Sequence, residues 1–403
     1  MMENLEYDEN YCLGIGSTGF AGFCGRSLQL HEAPVLKTLN IKVRQQYDFI
    51  DSQIFPSIRS TLLEISILSY YNPTPIRFSS NLNVFKTLVV MKLQDKILVN
   101  VSPDSPVCFR SLKSLHLERV RYSCDESFCR ILSACPVLED LFLDRLSRVE
   151  KLFTIPVPSL QRLTIVHRDG YFIDDDPIFV INVPSLIYLK IGDRIGRFHF
   201  TGDMPKLVEA DVAVCETKSG KLLKSLTSVE RLSIYLFYSM VKHLTDRFYC
   251  NQLLHLELHI SENFRSNLLL RVLQDSPKLQ VLKLDQRDCA WIRNFDEDPS
   301  FVPEDPCFVS EPSSVPECLS FHLETLEWIG YGGSDETKEE REAAVYILRN
   351  ARRLKTALFS LVCTPMLENE MIMINELESM SLASVSCQLV IQRSDYFHKN
   401  MFF

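Results

Sequence analysis

Gly14-Ile15-Gly16-Ser17-Thr18-Gly19 has the G-x-G-x-x-G spacing that lets a backbone approach a pyrophosphate. A dinucleotide site needs a buried strand before the glycines and an acidic residue ending a second strand about twenty residues on. Here the residues before Gly14 are mostly acidic and polar, and Glu32 precedes the next apolar run instead of ending it. The favoured reading is a flexible loop leading into a helix over Phe20–Leu30. His255 and His259 are four apart, a spacing that ligates zinc when it falls on a helix. They alternate with Leu256 and Leu258, so they belong on the exposed face of a strand, and no acidic or Cys partner is spaced to close a metal shell. Asp169 and Asp174-Asp175-Asp176 lack the glycine turn and ligand spacing of a calcium loop, and read as a solvated loop. Cys124, Cys129 and Cys135, with His116 nearby in the chain, would suggest a thiol nucleophile only if something lowered a thiol pKa, and nothing in the sequence does. Together with Cys108, Cys215 and Cys250 they read as small buried hydrophobes of a reducing compartment. No Walker, serine-elbow or HExxH motif is present. The chain is expected to be no enzyme and to need no cofactor or metal.

Stepping from chemistry to class, the chain has 403 residues, 46% hydrophobic and 24% charged, which excludes a disordered or collagen-like polymer. Its net charge of −9 argues against a nucleic-acid partner, because phosphate binding rests on clustered Lys and Arg. The acidic start, Met1 to Glu9, has no basic-then-apolar secretory pattern, and no apolar run is long enough to span a membrane. The expected location is intracellular, in cytoplasm or nucleus, with no membrane partner.

The elements that would position any functional residue come from a repeat. The pattern apolar-x-x-apolar-x-apolar occurs as Leu36-Leu39-Ile41, Leu62-Ile65-Ile67, Phe85-Leu88-Val90, Leu112-Leu115-Leu117, Leu138-Leu141-Leu143 and Leu160-Leu163-Ile165. It continues as Leu186-Leu189-Ile191, Leu207-Ala210-Val212, Val229-Leu232-Ile234, Leu253-Leu256-Leu258 and Leu279-Leu282-Leu284. A mean spacing of about 24 residues is that of leucine-rich repeats. The last two apolar residues of each unit are two apart, so both point to one face of a short strand. One such strand cannot bury its face alone, and stacked strands can. Phe128-Ile131-Leu132-Cys135 and Leu269-Val272-Leu273 have helical spacing and predict helices on the return path. Pro34, Pro136, Pro158, Pro184, Pro205 and Pro277 each stand just before a strand, where they stop a helix. The fold class is therefore α/β: a leucine-rich-repeat solenoid, a right-handed α/β horseshoe.

After Leu284 the period breaks. Residues 286–318 are acidic and proline-rich and read as an exposed loop or linker. Leu323-Leu326-Trp328 predicts a further strand, and Thr337 to Asn350 a helix. Ser334 or Asp335 is its candidate cap, Glu339, Glu340 and Glu342 favour its dipole, and Ala344, Ile347 and Leu348 form its buried stripe. Leu354 to Phe359 predicts another strand, Met366 to Met380 a helix, and Cys387 to Ile391 a last strand. This unit would close the open end of the repeat stack.

Ser133-Ala134-Cys135-Pro136-Val137-Leu138-Glu139-Asp140-Leu141 resembles the repeat of plant F-box proteins with leucine-rich repeats. Val315-Pro316-Glu317-Cys318-Leu319, Leu323-Glu324-Thr325-Leu326-Glu327-Trp328, Gly330-Tyr331-Gly332-Gly333 and Tyr346 through Thr356 are similar to the FBD module that ends many of them. The resemblance implies an FBD-type α/β capping unit and the role of a substrate-recognition subunit in an SCF-type (cullin–RING) E3 ubiquitin ligase. It implies an unknown target protein held by the repeats and a Skp1-type adaptor docked on an F-box. Glu3 to Asp8 looks like the segment that follows the F-box, and no Leu-Pro-led box helices precede it. The expectation is a chain without the box, so the adaptor stays a partner implied by the resemblance alone.

The division expected is an N-terminal segment and helix over 1–29, the solenoid over 30–285, the acidic proline-rich linker over 286–318, the FBD domain over 319–392 and a tail over 393–403. In each repeat strand, the residues flanking the inward apolar pair face the concave side. The candidate partner contacts are His116, Glu118, Asp140, Phe142, Arg162, Tyr188, Lys190, Glu209, Asp211, Arg231, Tyr235, His255, Glu257 and His259, with Asp144 beside them. Aromatic groups and both signs of charge suit a protein partner. The alternatives are a stand-alone interaction or decoy protein without ligase recruitment, and a small-ligand receptor using the same concave face.

Overall fold

The computed structural model describes residues 3–11, 16–44, 50, 54–58, 61–70, 75–78, 86–100, 109–144, 152–166, 178–192, 197–213, 226–236, 250–260, 266–286, 314–332, 337–362 and 367–394. The chain divides into two compact units, residues 1–206 and 207–403.

The first unit runs through β1 (Asn4–Asp8), α1 (Gly16–Gln29), β2 (Val35–Val43), β3 (Thr61–Ser69), β4 (Ile76–Phe78), β5 (Val90–Gln94), β6 (Ile97–Val99) and β7 (Ser114–Glu118). It continues with β8 (Arg121–Tyr122), α2 (Asp125–Ser133), β9 (Asp140–Asp144), β10 (Leu152–Ile155), β11 (Arg162–Val166), β12 (Ile178–Ile181), β13 (Tyr188–Gly192) and β14 (Arg197–Phe200). Its principal sheet is parallel, in the order β1-β2-β3-β5-β7-β9-β11-β13. The apolar triplets explain it. Leu112, Leu115, Leu117, Leu160, Leu163, Ile165, Leu186, Leu189 and Ile191 are all sealed from solvent. At about 1.5–3 kcal/mol for each fully buried aliphatic side chain, this stripe is the unit's main source of stability.

One triplet differs from the expectation. Leu88, Met91 and Leu93 are buried, whereas Val90 is half-buried, so the unit expected at Phe85-Leu88-Val90 sits three residues later. Leu88 fits either frame, and Met91 completes the correct one. A shared turn precedes the strands. The amide of the first triplet residue donates to the carbonyl three residues back: Leu112 to Phe109, Leu138 to Cys135, Leu160 to Val157 and Leu186 to Val183. That site takes a buried apolar residue, which accounts for Cys135.

Both return helices expected from the spacing are present, α2 here and a helix over Ser266–Gln274 in the second unit, and other described return segments of the first unit are strands, which the spacing did not predict. These form two further parallel sheets, β4-β6-β8 and β10-β12-β14. Phe153, Phe179 and Phe198 are register partners, stacked at 5.1 and 5.0 Å between ring centroids, and Phe128 of α2 meets Phe153 edge-on at 5.2 Å. A column of aromatic rings favours strands over helices here. The N-terminal segment also departs from its reading as a polar lead-in. β1 pairs with β2, with Tyr7 buried, and α1 begins at Gly16, taking Gly16 and Gly19 into the helix. Gly14 and the Asp174 triplet lie outside the described residues.

The second unit has a parallel sheet in the order β15 (Glu209–Val212), β16 (Arg231–Leu236), β17 (His255–Ile260), β18 (Val281–Asp285), β19 (Thr325–Tyr331), β20 (Thr356–Val362) and β21 (Gln388–Ser394). α3 (Ser266–Gln274), α4 (Glu317–Phe321), α5 (Thr337–Asn350) and α6 (Leu367–Glu378) lie between its strands in the chain. Ala210, Val212, Leu232, Ile234, Leu256, Leu258, Leu282 and Leu284 repeat the inward stripe, and the turn recurs as Val229 to Leu226, Leu253 to Cys250 and Leu279 to Ser276. Burial lifts the Cys250 and Cys318 thiols to about 12, so both are inert packing groups. Cys124 is exposed, not buried as expected, because it precedes the first turn of α2.

Helix α5 has the expected bounds, and Ala344, Ile347 and Leu348 are buried. Glu340 does more than favour the dipole. It is fully buried, its Oε2 accepts from the Gly332 amide at 2.9 Å and its Oε1 from Gln286 Nε2 at 2.9 Å. Gln286 Oε1 in turn accepts from Trp328 Nε1 at 2.6 Å. Gly330 (φ 83°) is the extra residue at a register shift between Ile329 and Tyr331, Gly332 (φ 78°) follows it, and a Cβ on Gly332 would overlap Met373 Sδ. Only glycine holds that backbone without strain. The candidate caps Ser334 and Asp335, and most of the 286–318 linker, lie outside the described residues.

Candidate functional site

Alternation along each strand places the candidate contacts opposite the sealed stripe. All are half-buried, apart from Arg162 and Arg231, which are exposed. In the first unit, His116 on β7 and Phe142 on β9 are register partners and stack face to face, 3.9 Å between centroids and 1° between planes. His116 Nε2 is 3.4 Å from Glu118 Oε2, which also accepts from Gln94 Nε2 at 2.9 Å. Arg119 Nη1 lies 2.9 Å from Glu118 Oε1. Burial pushes the Glu118 pKa up, but the hydrogen bonds from Gln94 and His116 and the charge of Arg119 outweigh it, and the net shift is down.

Arg119 also donates from Nε to Asp95 Oδ1 at 2.5 Å, with Asp144 Oδ2 4.0 Å from its Nη1. Its proton is held above the ordinary guanidinium range, first by the Asp95 hydrogen bond. Asp95 (φ 61°) and Arg119 (φ 52°) follow adjacent strands in left-handed geometry, which only a few per cent of non-glycine residues adopt. Their amides are fixed by the Glu118 carbonyl at 2.8 Å and the Asp144 carbonyl at 2.7 Å. Asp144, expected to face outward, is buried beneath Arg119. Further along, Asp140 and Arg162 are register partners joined by a two-pronged ion pair, Arg162 Nη2 donating to Asp140 Oδ2 at 2.5 Å. Tyr188 and Lys190 sit opposite Arg162 and Thr164 on β13.

In the second unit, Glu209 and Arg231 pair across β15 and β16, with Nη1 3.9 Å from Oε2. Asp211 stands opposite Ser233, and Arg231 opposite His255. Burial lowers the His255 pKa, with Arg231 and Lys283 adding to the shift and Glu257 and Glu209 opposing it. His259 is the centre of a tighter group. Its ring stacks on register partner Tyr235, 3.9 Å between centroids and 5° between planes. Nε2 lies 3.3 Å from Glu257 Oε1 and 3.3 Å from Ser233 Oγ, and Nδ1 lies 3.6 Å from Asp285 Oδ2. Lys283 Nζ reaches Glu257 Oε1 at 2.8 Å. Burial lowers the His259 pKa and prevails over Glu257, Asp285 and Asp211, so the neutral ring is favoured.

Sequence reasoning missed Gln94, Asp95, Arg119, Lys283 and Asp285. A signal existed in Asp140-Leu-Phe-Leu-Asp144 and Val281-Leu-Lys-Leu-Asp285, where an acidic residue ends the strand and is buried in both cases. The acidic partner that His259 was expected to lack is supplied by the neighbouring strand, as the register pair His259–Asp285. For the glycine motif, a strand does precede it, but β1 ends several residues before Gly14, and β2 ends at Val43 with Arg44 after it, so the ribose-binding acid is missing. The described residues thus present a row of cross-strand pairs, and no helix among them is long and apolar enough to cross a membrane.

Comparison with known proteins agrees with this reading of the repeats. Residues 311–359 match the FBD family and residues 111–136 match a leucine-rich-repeat family. A protein of Arabidopsis thaliana named for an F-box, an FBD module and leucine-rich repeats is 57% identical, over 97% of this chain and 88% of the relative. An FBD-associated F-box protein of the same plant is 48% identical over 98% of this chain and 86% of the relative. A further F-box/FBD/LRR-repeat protein is 37% identical over 97% and 89%.

Proposed function

This chain belongs to the plant F-box/FBD/LRR-repeat family, and from that premise we propose that it recognises the target of an SCF-type ubiquitin ligase through the outward faces of its strands. The role is binding, and catalysis belongs to the ligase it would serve. The observation that carries the proposal is the division of labour along each strand. Inward positions are apolar and sealed, while outward positions mix Phe142, Tyr188, Tyr235, His116 and Lys190 at half-exposure with the exposed Arg162. A face needed only for solubility would carry charge without aromatics. Tyr, Phe and Arg are the types enriched at protein interfaces. The relatives' names put an F-box in the family, and a Skp1-type adaptor is the partner that such a box would dock.

The test is affinity capture from plant cells with the proteasome inhibited, using the full chain beside a variant carrying Phe142→Ala, Arg162→Glu and Tyr188→Ala. The proposal expects a Skp1-type adaptor with both baits and a target only with the unaltered one. Capture of a target without adaptor refutes the ligase role and leaves a stand-alone interactor. Identical captures from both baits refute the outward face as the binding surface.

A further inference from the structure

We propose that Glu257, His259 and Asp285 form a site for a divalent transition metal of the zinc class on the outward face of β17 and β18. One ligand atom from each of the three lies within 4.8 Å of the others. Around an ion with bonds of about 2.0–2.2 Å, ligand atoms stand roughly 3–4.5 Å apart, so closure needs only small side-chain movements. The donor set, one imidazole and two carboxylates, suits zinc, cobalt or manganese, and lacks the soft sulfur that selects copper(I).

Two further features favour a metal over a simple charge ladder. The Asp285 side chain is almost fully withdrawn from solvent, so an ion there would compete with little water. The His259 ring is clamped by Tyr235. With Nδ1, 3.6 Å from Asp285 Oδ2, as the ligating nitrogen, Nε2 keeps its contact with Ser233 Oγ at 3.3 Å, and metal sites use such outer contacts to fix an imidazole. Lys283 is the competitor, since its ammonium holds Glu257 Oε1, the same oxygen that lies 3.3 Å from His259 Nε2. With three protein ligands, the shell keeps a position for water or a donor from a partner. The first unit supplies the contrast. There Arg119 occupies the space between Asp95, Glu118 and Asp144 with a fixed positive charge.

The test is titration of the full chain with Co²⁺ alone, read by visible absorption. The expected result is one saturable equivalent with d–d bands and no thiolate charge-transfer band, which excludes the cysteines. His259→Gln and Asp285→Asn should each weaken binding about tenfold or more. Lys283→Gln should tighten it, an effect that a purely structural ladder would not produce. His255→Gln should leave it unchanged. Circular dichroism accompanies each variant, and if Asp285→Asn unfolds, Glu257→Gln carries the same test from a more accessible position. No saturable binding, a thiolate band, or affinities indifferent to His259→Gln and Glu257→Gln overturn the proposal.

Discussion

The two outward clusters are built on one plan with different centres. Around β7, a strand bearing His116 and Glu118 has a stacked aromatic neighbour, Phe142, and a buried acid at the end of the next strand, Asp144. Around β17, a strand bearing Glu257 and His259 has a stacked aromatic neighbour, Tyr235, and a buried acid at the end of the next strand, Asp285. In the first cluster the middle is filled by the guanidinium of Arg119, brought inward by a left-handed backbone. In the second it is filled by imidazole. A guanidinium never loses its charge under ordinary conditions, so the first cluster keeps a permanent cation among its carboxylates. An imidazole titrates and has a lone pair to offer, so the second responds to protons and metals.

The comparison breaks most visibly if the inward sides are unlike. Leu117→Ala and Leu258→Ala should each cost about 2–5 kcal/mol in denaturant unfolding, since both residues are sealed in the same stripe position. A several-fold disparity would mean that the clusters rest on different foundations. Next in size is the loss of the centres. Arg119→Ala removes the cation above the buried Asp144 carboxylate and should cost about 1–3 kcal/mol, most of it restored by adding Asp144→Asn. His259→Gln at pH 7.5 should cost less, because a neutral ring is replaced by a neutral amide.

Acid separates the clusters in a different way. The folded-state pKa values of His255 and His259 lie below the ordinary 6.5, so their contribution is complete above that value and declines as pH falls beneath it. Glu118 is depressed below 4.5, so its contribution persists to that pH and is lost only below it. Stability followed from pH 7.5 to 3 should therefore fall in two stages. The upper stage should disappear in the His255→Gln/His259→Gln double variant, and survival of that stage would contradict the assignment. The smallest effect is at the rim. Arg162→Ala should change stability by about 0.2–1 kcal/mol, since its pair with Asp140 is exposed, even though the same residue is expected to matter for target capture.

The aliphatic stripe was readable in the chain because three residues within six positions encode it. Phe85-Leu88-Val90 and Leu88-Met91-Leu93 share Leu88, and the register of Met91 with Ile65 and Leu115 on the two neighbouring strands decides for the second. Helix α5 was readable to the residue, yet the burial of its Glu340 was not. Its partners Gln286 and Gly332 come from two separate strand ends. The same distance hid the centres of both clusters. The partner of His259 is Asp285, one repeat later, and neither residue is unusual until the register makes them neighbours.

Gln286 closes β18 by two hydrogen bonds, to Trp328 of β19 and to Glu340 of α5, so adjacent strands are tied before the chain enters residues 287–313 and again after it returns at Ser314. The pairing of Val281 with Thr325 and of Leu284 with Trp328 is therefore set by these ties and not by the length of what joins them. Sequence changes between the two tied ends should therefore leave the pairing of β18 with β19 intact as long as Gln286, Trp328 and Glu340 are kept.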